Sequence, residues 1–158
     1  MRGTVLKRCG VLLAAGWLVV SARAELNAEK WMPALAGSKS MLSPGMTNLF
    51  YVINPQRQII AFAGSEEFPN QAGPGKAELA GFYKGYIASN KMNPKEAKPA
   101  TINGVEAMEC KIDMGDTDSL VLLCVSGPRL ITLTVLCEKR LGWDDPDVQE
   151  LVGALGIK

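Results

Sequence analysis

Cysteine and aspartate are the residues of this chain whose types and spacing come nearest to chemistry. Cys110, Cys124 and Cys137 follow one another in the C-terminal half, with Asp113, Asp116 and Asp118 on one turn and Asp144, Asp145 and Asp147 on another. A thiol does redox or zinc chemistry when a second thiol or an activating cation stands beside it, and no Cys-x-x-Cys pair occurs here. The aspartates offer oxygen ligands for a loosely held Ca²⁺. Neither group has the alternating ligands, the Gly and the closing Glu of an EF-hand loop, and turn and capping chemistry accounts for both. Histidine is absent altogether. That removes Ser–His and Cys–His nucleophile pairs and the commonest transition-metal ligand. Ser38-Lys39-Ser40 has the side chains of a Ser–Lys hydrolase and reads more simply as a flexible loop. Gln71 to Lys76 has the glycines of a phosphate-binding loop, yet Asn70 and Ala77 stand where the Walker pattern needs Gly and Ser or Thr. No catalytic, cofactor-binding or metal-ligating residue is expected.

The three thiols sit on a predicted antiparallel meander of three strands, roughly 100–114, 119–126 and 130–138. In the first, Met108, Cys110, Ile112 and Met114 alternate with Ala107, Glu109, Lys111 and Asp113. In the third, Ile131, Leu133, Val135 and Cys137 share one face, and Thr132 and Thr134 make a polar face opposite. The middle strand, Leu120 to Val125, is apolar front and back, as a strand covered on both sides must be. All three cysteines fall on the side assigned to the interior. A loop centred on Thr117 sets Cys110 opposite Cys124, near enough for a disulfide; three reduced thiols filling the core are the plainer alternative.

Two helices are available to cover such a sheet. Over 76–92, Leu79, Phe82, Tyr83, Tyr86 and Ile87 form a single apolar stripe, while Gly81 and Gly85 give a flat face able to lie close to strands. Near the C-terminus, Asp144-Asp145-Pro146-Asp147 supplies a cap, a first-turn Pro and negative charge at the positive end of the helix dipole. Val148, Leu151, Val152 and Leu155 form the buried stripe, Gly156 is a left-handed stop, and Trp143 is placed to pack on Val148 as a staple. Upstream, Leu49 to Ile53 and Gln58 to Ala63 read as a β-hairpin turning through Asn54-Pro55-Gln56-Arg57. Residues 65–75 read as loop and 91–98 as a polar connector.

The first 24 residues have the order of a secretory signal peptide. Arg2, Lys7 and Arg8 precede an apolar run from Cys9 to Val20, and Ala22-Arg23-Ala24 predicts cleavage after Ala24. The run is too short to span a bilayer comfortably, and Cys9 precedes it instead of closing it, which argues against a lipidated cysteine. The expected organisation is a signal peptide over 1–24, an N-terminal arm over 25–47 and one domain over 48–158. The product is exported, to a periplasm or beyond, without a transmembrane anchor. Loss of Arg2, Lys7, Arg8 and Arg23 lowers the 17 Lys and Arg to 13 against 16 Asp and Glu. A weakly acidic chain without a basic stripe gives no reason to expect nucleic-acid binding.

The order hairpin, helix, three-strand meander and C-terminal helix resembles the PsbP-like family. The matching residues are Asn103-Gly-Val-Glu-Ala107, Gly127-Pro-Arg-Leu-Ile-Thr-Leu-Thr134 and the Pro-started last helix, over roughly 49–157. The resemblance implies an α+β fold, a mostly antiparallel sheet sandwiched by helices (α/β/α), used as an interaction or assembly module without catalysis. The metal-linked histidines of the photosynthetic members have no counterpart. The expected function is a non-enzymatic module binding another envelope protein, through the strand face with Thr132 and Thr134 or through the arm around Trp31. The alternative is a small-ligand or lipid carrier with a cavity under Phe82, Tyr83 and Tyr86. A closed pocket there favours the carrier, and a solid core with an exposed apolar patch favours the module.

Overall fold

The computed structural model describes residues 25–34 and 45–158. The predicted leader and Ser38-Lys39-Ser40 lie outside the described residues. The chain forms β1 (Met32–Pro33), β2 (Thr47–Asn54), β3 (Ile59–Glu67), α1 (Leu79–Ser89), β4 (Glu96–Ile102), β5 (Val105–Asp113), β6 (Thr117–Ser126), β7 (Arg129–Glu138) and α2 (Pro146–Gly153). The strands make one seven-stranded sheet in the order β1-β2-β3-β7-β6-β5-β4, and every neighbouring pair is antiparallel.

Two strands were not foreseen. The stretch read as a single strand over 100–114 folds back at Asn103 and Gly104, whose φ values are +51° and +82°. Asn-Gly is the pair that best tolerates the left-handed backbone of a two-residue hairpin turn, so Ile102 pairs with Val105 and the supposed connector becomes edge strand β4. Pro99, Lys98 and Glu96 on that edge discourage further strand pairing. At the other edge, β1 turns part of the supposed arm into sheet, with Met32 opposite Ile53 and Pro33 opposite Val52.

Side chains alternate between two hydrophobic clusters. Leu120, Leu122 and Cys124 of β6 join Ile131, Leu133, Val135 and Cys137 of β7 and Val148, Leu151 and Val152 of α2. Val121, Leu123 and Val125 join Met108, Cys110 and Leu130 with Leu79 and Tyr83 of α1. The central strand is thus buried front and back, as its composition requires. Trp143 packs against the α2 cluster from the loop before that helix.

The N-terminal segment belongs to the fold. Trp31 is 3% exposed and sits within the α2 cluster. Lys30 Nζ lies 3.1 Å from Asp147 and the Asn27 N–H donates to Glu150 at 2.7 Å. Arg57, from the β2–β3 turn, reaches the same helix start: it pairs with both oxygens of Asp145 at 2.9 and 3.0 Å and with Asp147 at 2.8 Å. Asp145 also caps α2 by accepting from the Asp147 N–H.

Helix α1 is shorter than its stripe suggests, because Lys76–Glu78 forms a 3₁₀ turn ahead of it. Gly81 and Gly85 do not face the sheet. A methyl group added at either would meet nothing within 4 Å.

Candidate interaction surface

Among the described residues, the α1 side of the sheet is only half covered. Its cluster lies over β5, β6 and the first residues of β7. Farther across the same face, β2, β3 and β7 present two registered rows. Tyr51 stands opposite Phe62, which stands opposite Thr134, itself opposite Val121. Met32, Ile53, Ile60 and Leu136 follow in the next row. Tyr51, Ile53, Ile60, Phe62 and Leu136 are half-buried and belong to neither hydrophobic cluster, and Met32 is 57% exposed. Tyr51 and Phe62 stack edge to face, with ring centroids 6.3 Å apart. Among the described residues no helix lies over these side chains. This is an apolar patch flanked by hydroxyls.

Two predicted contact residues, Thr132 and Thr134, are on this face, but it is aromatic and aliphatic where a polar one was expected. Thr132 lies between Gly64 and Leu123, and its Oγ1 is buried without a hydrogen-bond partner. Trp31 is corrected: it is a core residue, and its neighbour Met32 is the one exposed. The rest of the patch was missed. The signal was present, because Leu49 to Ile53 and Ile59 to Ala63 are apolar in near-continuous runs, the same pattern that required two covers for β6.

The candidate disulfide is also corrected. Cys110 pairs in register with Val121, and Cys124 with Ala107, three residues away from the expected pairing. An odd shift reverses the face, so Cys110 lies in the α1 cluster and Cys124 in the α2 cluster. The displaced centre follows from the turn at Gly115, where φ is +92°, which closes the hairpin at Asp113 and Asp118. All three thiols are buried and free. Burial pushes Cys110 up and raises Cys124 and Cys137 to about 11, the reverse of nucleophile activation.

Four of the six aspartates are engaged structurally. Asp113 accepts from the Gly115 N–H at 2.9 Å and pairs with Lys139, and buried Asp118 is 2.9 Å from Lys111. Asp145 and Asp147 are held by Arg57 and Lys30, as described above. Under α1 there is a surface cleft of about 300 Å³ reaching Leu79, Tyr83, Pro99 and Met108. Tyr83 is committed to the scaffold: its hydroxyl donates to the Glu106 carbonyl at 2.9 Å and accepts from the Val125 N–H at 2.8 Å. It thereby joins β5 to β6 just beyond their last ladder pair, and burial raises its pKa to about 12.

No family model and no curated protein matches the chain. Among solved structures, the chain is similar to the solution structure of cyanobacterial PsbP (CyanoP) from Synechocystis sp. PCC 6803, with 15% identity and a TM-score of 0.45 over 78% of this chain and 76% of that one.

Proposed function

We propose that this protein is an exported, non-enzymatic interaction module that engages an envelope protein through the open half of its sheet. The observation that carries the reading is the registered apolar patch of Tyr51, Ile53, Ile60, Phe62 and Leu136, with Met32 at its edge, outside both hydrophobic clusters. Contiguous, partly exposed apolar surface beside an otherwise closed core is a mark of a protein-binding face. An α/β/α arrangement suits this role, since one helix per face leaves strands uncovered where α1 ends. Export rests on the leader-like first 24 residues. The carrier reading needs an enclosed cavity under α1, whereas the cleft there lies at the surface and its tyrosine hydroxyl is already bonded on both sides.

The test is site-specific photocrosslinking in the native envelope from position 62, with position 84 on α1 as the control. The reading expects a discrete protein adduct from position 62 only, lost when Tyr51 and Ile60 are both changed to Ser. Equal adducts from both positions, or recovery of the protein with a bound small molecule and no protein adduct, overturns it.

A further inference from the structure

A second site lies on the opposite, α2 side of the sheet, between the β4–β5 edge and the first turn of that helix, where Gln149 lines it. A surface cleft of about 450 Å³ opens there between Glu96 and Lys98 of β4, Glu109 and Lys111 of β5, and Trp143 and Asp144 of the loop before α2, with Leu120 beneath. Its charges are unevenly matched. Lys111 is closed off by buried Asp118 at 2.9 Å. Lys98 is left to serve three carboxylates, and it meets two of them only loosely, Glu109 at 3.7 Å and Glu96 at 4.0 Å. Both distances exceed a hydrogen bond. The Glu109 side chain is 14% exposed, and among the described residues Lys98, at 3.7 Å, is the cation it meets. Burial pushes that carboxyl up, and Lys98 offsets the rise only in part.

We infer that this cleft binds a small aliphatic amine, with the ammonium against Glu109 and the hydrocarbon along the Trp143 ring. An anion would face three carboxylates and one loosely held lysine. A metal ion is disfavoured because no three acidic or thiol side chains converge closely enough to hold one among the described residues. An ammonium fits because it can approach this partly buried carboxylate more closely than Lys98 does, and the Trp143 ring favours a cation or its methylene chain.

The probe is cadaverine, titrated calorimetrically into the full-length chain at neutral pH, with sodium chloride of matched ionic strength as the reference. One saturable site is expected for cadaverine and none for sodium. Glu109→Gln should weaken binding by at least about tenfold, the usual loss for a charged hydrogen bond. Lys98→Gln should tighten it severalfold by removing the competing cation, a change of sign that a purely structural role would not produce. Binding should also weaken as pH falls through the raised Glu109 pKa, where the carboxylate is protonated. If Glu109→Gln fails to fold, Asp144→Asn in the exposed loop replaces it, with an expected loss of about two- to fivefold. Absence of a saturable site, equal affinity in the variant that is used, or weaker binding by Lys98→Gln overturns the inference.

Discussion

The two faces of one sheet are finished to different degrees. On the α2 face, apolar side chains run without a break from Trp31 and Val52 across β3, β7 and β6 to Ala107. The perimeter there is drawn in by charge: Lys30 and Arg57 converge on Asp145 and Asp147, tying the N-terminal segment and the β2–β3 turn to one helix start. On the α1 face, a single short helix covers β5 and β6 and leaves β2, β3 and the end of β7 half exposed. The same alternation of residues feeds both faces, so the difference arises from the supply of covering elements. Helix α2 is the shorter of the two, but Trp31, Trp143, Leu155 and Ile157 extend its cover, whereas among the described residues nothing extends α1 over β2 and β3.

The sharpest way to break this comparison uses two leucines three residues apart on β7. Leu133 is fully buried under α2, and Leu136 points to the open half of the other face. Leu133→Ala should cost roughly 3–4 kcal/mol by urea denaturation, and Leu136→Ala about 1 kcal/mol or less, because only the first leaves a cavity in a packed core. Equal losses would mean that the open face is covered in solution. Trp31 separates packing from hydrogen bonding on the closed face. Trp31→Ala should cost about 3 kcal/mol. Trp31→Phe should retain most of that stability, since the buried Nε1–H has no partner to lose.

How much of this contrast was readable beforehand depended on turns. The central strand, both helices and the β2–β3 hairpin followed from periodicity and capping, which are local. The strands Glu96–Ile102 and Met32–Pro33 did not, because each is an edge strand with little apolar signal of its own. Asn103-Gly104 was a strong turn signal that was read as the opening of a strand. The cysteine geometry failed for a related reason: the β5–β6 register depends on where Gly115 turns the chain, and an error of three residues moved Cys124 to the other face. The open patch lay in plain view as two apolar runs, but its uncovered state is a tertiary fact. Helix length along a stripe does not reveal how many strands the helix will span.

Charge closure of the α2 face predicts a pH dependence. Burial alone would raise the Asp147 carboxyl, but hydrogen bonds from Arg57 and Lys30 outweigh it and hold the pKa below the ordinary value. A depressed carboxyl stabilises the fold above its unfolded pKa, and that contribution disappears as pH falls from about 4 through the folded value. Asp147→Asn should cost roughly 1–2 kcal/mol at neutral pH. It should also flatten the decline of stability in acid, as followed by urea midpoints across pH. A variant that keeps the full acid decline would place the pH sensitivity elsewhere in the molecule.

The smallest expected effect concerns the cover on the half-finished face. Glycine within a helix is less favourable than alanine by roughly 0.5–1 kcal/mol, because its backbone surrenders more freedom on folding and it adds no side-chain contact. Gly81 and Gly85 lie inside α1 with open space where a β-carbon would stand. Gly81→Ala and Gly85→Ala should therefore each raise stability by about 0.5–1 kcal/mol. A flat helix face pressed to the sheet would have given the opposite sign through steric overlap. A loss of stability in both variants would therefore restore that arrangement and make α1 a closer cover than described. Gains in stability with unchanged photocrosslinking from position 62 would place the outer surface of α1 apart from the partner-binding half of the sheet.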